Sequence, residues 1–156
     1  MIVAADDDED DVNLLRMLFR RAGVTHRFEV FGRGEDVITA LAATVQRLVA
    51  SAQAALPLVC FLDIKMPAMT GHEVLRWIRS QSRLDPMPVV MLSSSEHPSD
   101  VRQAAENGAQ CYLIKYPRPE VLQQVISDAE RIASGTPASQ CFAMSANLLR
   151  VAGAEA

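Results

Sequence analysis

Two short stretches constrain the fold of this chain more than any others. PLVCFL at residues 57–62 and PVVML at 88–92 carry apolar residues at every position after their prolines. A strand with one wet face alternates apolar with polar residues, so a strand apolar throughout must be covered on both sides. Such strands belong to parallel sheets with helices packed above and below. The intervening segments read as those helices. Val12, Leu15, Leu18, Phe19 and Ala22 recur at helical spacing and stop at Gly23. Val37, Ile38, Leu41, Ala42, Val45, Leu48 and Val49 do the same further on, as do Val121, Leu122, Val125, Ile126, Ala129 and Ile132.

Completing the alternation predicts strands at 2–5, 27–31, 57–62, 88–92 and 111–115. The predicted helices lie at 10–22, 34–53, 73–79, 98–108 and 120–133. PSDVRQAAENG opens on proline and closes on glycine, as helices tend to. Five strands alternating with five helices make a doubly wound α/β domain with a five-stranded parallel sheet in flavodoxin-like order. The segment after Gly34 is long for one crossover, so the second helix is expected to extend beyond the sheet. At 156 residues the chain is the size of one domain. Residues 1–134 form it, and 135–156 are a Ser/Ala-rich C-terminal extension carrying one amphipathic patch, FAMSANLLRV.

Composition excludes several classes. A net charge of -4, with thirteen arginines spread along the chain, gives no electrostatic reason to expect nucleic acid or an acidic membrane. Cys60, Cys111 and Cys141 are odd in number and lack CxxC spacing, which suits reduced, buried thiols better than disulfides or zinc. The acidic start MIVAADDDEDD is unlike a signal peptide. Gln46, Arg47, Gln53 and Pro57 interrupt the best candidate for a membrane span. A cytoplasmic protein is expected.

In an open parallel sheet functional groups gather at the carboxyl ends of the strands. Here those ends carry Asp6, Asp7 and Asp8; Asp63; Ser93, Ser94 and Ser95; and Lys115. Each has a plainer reading alone: a helix N-terminus favours acids, an aspartate makes turns, and a serine loop caps helices. Yet the chain holds only two lysines, Lys65 and Lys115, and both fall at this rim. Carboxylates converging there would repel one another unless a cation sat among them, and hard oxygen ligands suit Mg²⁺. A lysine and a hydroxyl opposite would complete a pocket for a dianionic oxyanion.

AADDDEDDVNLL, FLDIKMPAMTG, VVMLSSS and YLIK, in that order, make residues 2–134 resemble a response-regulator receiver domain, the phosphoacceptor half of two-component signalling. The resemblance implies that Asp63 is the phosphoacceptor, taking a phosphoryl group from the phosphohistidine of a partner kinase. It implies Mg²⁺ held by Asp6, Asp7, Asp63 and the backbone carbonyl of Lys65. Lys115 would pair with a phosphoryl oxygen and Ser93 would donate to another, while Tyr112 matches the aromatic that changes rotamer when that hydroxyl moves. Pro67 and Gly71 shape the loop after the acceptor.

One departure concerns the peptide after Lys115, where the family usually has a cis proline. Tyr116 stands there, and a cis bond without proline costs about 2.5–4 kcal/mol, which leaves the geometry open between that cost and a trans, reshaped loop. The short remainder after the last helix leads us to expect a single-domain regulator that acts by docking on a downstream protein target, without DNA-binding output. The long second helix and the extension look like the subgroup paired with phytochrome-type histidine kinases. The patch Phe142, Met144, Leu148, Leu149 and Val151 reads equally as a homodimer arm or as a helix packed on its own domain. Beyond slow loss of its own phosphoryl group, no enzyme activity is expected. A haloacid-dehalogenase-like phosphatase would need an acid at position 65, where Lys stands. The remaining alternative is a degenerate receiver that binds proteins independently of phosphorylation.

Overall fold

The structure, a computed structural model, describes residues 1–142. Along them alternate β1 (Ile2–Ala5), α1 (Glu9–Arg21), β2 (Phe28–Phe31), α2 (Gly34–Ala50), β3 (Val59–Asp63), α3 (Gly71–Arg79), β4 (Val89–Ser93), α4 (Pro98–Glu106), β5 (Cys111–Ile114) and α5 (Pro119–Ala133). The strand pairings are all parallel, in the order β2-β1-β3-β4-β5, which is the flavodoxin-like arrangement the sequence predicts.

Strand side chains alternate between two covered faces. Val3, Cys60, Leu62, Val89 and Met91 meet Val37 and Leu41 of α2, Val74, Leu75 and Ile78 of α3, and Val101 and Ala104 of α4. Their neighbours Ile2, Ala4, Val59, Phe61 and Val90 meet Leu15, Leu18 and Phe19 of α1 with Leu122, Val125, Ile126 and Ala129 of α5. Every residue of the central strands β3 and β4 is buried, whereas edge strand β2 stays half-buried throughout. The three cysteines are buried and form no disulfide, and burial pushes the Cys60 thiol up to about 12.

Local chemistry sets the helix ends. Asp8 caps α1 by accepting from the backbone N–H groups of Asp10 and Asp11. Helix α3 begins at Gly71 rather than at position 73, because Thr70 and Glu73 form a capping box: the Glu73 N–H donates to Thr70 Oγ1, and the Thr70 N–H to Glu73 Oε2. Helix α2 ends at Ala50 rather than near 53, yet its 17 residues still span about 25 Å, longer than a strand of five. A Cβ on Gly71 would lie 2.1 Å from the Asp63 carbonyl oxygen, so glycine alone lets α3 start against the end of β3.

Beyond α5 the chain folds back. Cys141 and Phe142 are buried in the α1/α5 face, and the Phe142 N–H donates to Asp128 Oδ2 at 3.0 Å. Met144, Leu148, Leu149 and Val151 of the proposed arm lie outside the described residues. Among the described residues no helix is long and apolar enough to cross a membrane.

Candidate functional site

Register brings the strand ends level. Ala5 pairs with Leu62, Asp63 with Leu92, and Ser93 with Ile114, so the residues following these pairs emerge on one rim. Asp6 is held there by its N–H donating to the Phe31 carbonyl, and Lys115 by its N–H donating to the Ser93 carbonyl at 2.8 Å. Asp6, Asp63 and Ser93 are buried. Asp7 is exposed, and one carboxylate oxygen from each of Asp6, Asp7 and Asp63 lies within 4.8 Å of the others. Lys65 borders the same cleft with an exposed side chain.

The Lys115 ammonium sits amid these acids. Its Nζ is 2.8 Å from Asp6 Oδ2, 2.9 Å from Asp63 Oδ1 and 2.7 Å from Asp11 Oδ2. Burial opposes its charge, but the three carboxylates outweigh that and hold its pKa above the ordinary lysine value. Burial works the other way on Asp6: it pushes the carboxyl up, against the hydrogen bonds from Lys115 and the Asp8 N–H. The donor set of closely spaced oxygens fits a hard divalent cation, which would neutralise the acids that one ammonium cannot.

Ser93 Oγ accepts from the Ser95 N–H at 3.0 Å. Tyr112 is fully buried, pointing inward, and its hydroxyl donates to the Ser95 carbonyl at 2.8 Å. Burial raises its pKa, against a hydrogen bond with the Ser93 side chain. Serine loop and tyrosine are therefore joined directly behind the acidic rim.

Two features go beyond the sequence reading. The Lys115–Tyr116 peptide, whose geometry the sequence left open, is cis, and Lys115 reaches Asp63. Asp11, the last acid of the N-terminal run MIVAADDDEDD, was not among the expected site residues and enters the site. Its Oδ2 binds Lys115 and its Oδ1 accepts from the Tyr116 hydroxyl. Burial works against its charge, but these two donors hold its carboxyl below the usual range. The available signal was position: with Asp8 as cap, Asp11 stands at the third residue of α1, where side chains face back toward the rim.

Comparison with known proteins places this geometry in context. Residues 2–127 match the family described as "Response regulator receiver domain". The chain is 32% identical over 128 residues to the "Probable methanogenesis regulatory protein FilR2" of Methanothrix harundinacea (strain 6Ac), across 82% of this chain and 79% of that one. It spans less of others, among them 44% of the "Two-component response regulator ORR11" of Oryza sativa subsp. indica, at 37% identity over 65 residues. Among solved structures it resembles the phosphorylated cyanobacterial phytochrome response regulator RcpA, with TM-score 0.63 and 26% identity over 87% of this chain and 94% of that one. The Mn²⁺-bound form of response regulator Rcp1 aligns with TM-score 0.59 and 25% identity over 87% and 95%.

Proposed function

The chain belongs to the response regulator receiver domain family, and from that premise we propose that it takes a phosphoryl group from a histidine kinase onto Asp63 and signals by docking on a downstream protein. Receiver domains are signalling modules rather than enzymes, and the site acts as an acceptor. A carboxylate oxygen of Asp63 attacks the phosphorus of a phosphohistidine. The N–P bond breaks, the imidazole leaves with its electron pair, and an acyl phosphate remains. Mg²⁺, when bound by Asp6, Asp7, Asp63 and the Lys65 carbonyl, supplies positive charge against the transferred oxygens. Lys115 neutralises a phosphoryl oxygen from the other side. Ser93 turns its hydroxyl to donate to the new group, which draws on the loop that Tyr112 binds through Ser95. The added charge of about -1.5 to -2 thereby biases the packing behind the site.

The observation that carries this reading is Lys115 Nζ at 2.9 Å from Asp63 Oδ1 within a cluster of acids. The Mn²⁺-bound neighbour supports a divalent cation, and the phytochrome response regulator neighbour supports a phytochrome-type kinase as donor. We take the receiver unit as 1–134 and the extension, 135–156, as a docking or dimer arm that is anchored on the α1/α5 face through Cys141 and Phe142.

Acetyl phosphate with Mg²⁺, followed by intact mass, tests the proposal. Wild type should gain the mass of one PO₃H group, and Asp63→Asn should gain nothing. A wild type that stays unmodified with this donor and with a kinase would favour a binding module that works without phosphorylation. Adduct on Asp63→Asn would move the acceptor elsewhere.

A further inference from the structure

The contacts of Asp11 point to a role that the phosphoacceptor reading does not assign, though the inference rests on that reading. An ammonium has three N–H donors, and those of Lys115 face three carboxylates: Asp6, Asp63 and Asp11. The ammonium is thus saturated. A phosphoryl oxygen can bind it only where one carboxylate lets go. Two of the three, Asp6 and Asp63, belong to the cluster that fits a cation, and a cation bound there competes with Lys115 for them. Asp11 lies outside that cluster. It is also tied independently, because its second oxygen accepts from the Tyr116 hydroxyl.

We infer that Asp11 is a positioning residue: steadied by Tyr116, it keeps the Lys115 ammonium at the rim while the cation and phosphoryl group displace its other two partners. The lysine stem is flexible, and a head group released by Asp6 and Asp63 would otherwise be free to swing out into water. Held at one corner, it has two donors left for the incoming oxygens. Tyr116 reaches the site through Asp11. The juxtaposition joins the first turn of α1 to the segment after β5, which are far apart in sequence.

The test pairs an ammonium signature with phosphoryl uptake. The chain has only two lysines, and Lys65 is exposed, so an ¹⁵N-lysine label should show one water-protected ammonium resonance, that of Lys115, in the metal-free wild type. Asp11→Ala should broaden that resonance into exchange with water once MgCl₂ is added, whereas wild type keeps it. Uptake from acetyl phosphate at saturating MgCl₂ should slow by about tenfold to about a hundredfold in Asp11→Ala, the scale of a misplaced catalytic group. Tyr116→Phe, at a half-exposed position, should show a smaller loss in the same direction and serves if Asp11→Ala does not fold. Uptake at the wild-type rate or faster in these variants would overturn the inference and make Asp11 a competitor for the lysine. A wild type that takes up nothing would instead sink the phosphoacceptor reading, and this inference with it.

Discussion

His72 shows how one residue can carry a cost unrelated to the acidic site. It is 6% exposed at the start of α3, and among the described residues neither ring nitrogen has a hydrogen-bond partner. Burial pushes its pKa below the ordinary 6.5, and Arg76 adds to this, while Asp100 pulls the other way. The folded state therefore binds this proton less readily than the unfolded state does. Stability is full above 6.5 and falls as the pH drops toward the depressed value. Urea unfolding at about pH 7.5 and about pH 5.5 should show wild type losing more stability on acidification than His72→Leu. Equal losses in the two proteins would show that His72 titrates normally. A single histidine in GHEVL held no sign of this in the sequence. Lys115 did: its position at a strand end and the scarcity of lysine marked it, although the third acid that binds it went unseen.

At the scale of elements, the site depends on how β3 gives way to α3. The strand ends on Asp63, the chain turns through Pro67 and Ala68, and Gly71 starts the helix with its N–H on the Ile64 carbonyl. Gly71→Ala would drive a Cβ into the Asp63 carbonyl, a backbone atom that cannot step aside. The expected cost is about 1–3 kcal/mol by denaturant unfolding, with slower phosphoryl uptake because the acceptor shifts. Unchanged stability and uptake would mean the loop relaxes freely. The same interval shows which features were legible. Continuous apolar runs identified β3 and β4, since a short strand buried on both faces leaves a purely local pattern. Helix α3 was placed from position 73 because its start depends on a reciprocal side-chain cap, which a periodicity count does not register.

For the molecule as a whole, the segment after α5 is part of the packing. Asp128 is buried, pairs with Arg131 at 3.0 Å through one oxygen and receives the Phe142 N–H through the other. Phe142 and Cys141 thereby close the face formed by α1 and α5. Phe142→Ala should lower unfolding stability by about 3 kcal/mol, the lower end for losing a buried phenylalanine, while phosphoryl uptake at Asp63 stays near wild type. A loss within error of zero would mean that this segment rests on the surface without stabilising it.

Layer order, strand count and the residues standing at the strand ends were set by the sequence alone, because periodicity and strand termini are local properties of the chain. The partners those residues acquire were decided by the tertiary structure. Asp11 meets Lys115 and Tyr116 only because strand register and the docking of α1 bring together groups separated by 104 and 105 positions. Contacts between side chains depend on those long-range placements, and no local pattern encodes them.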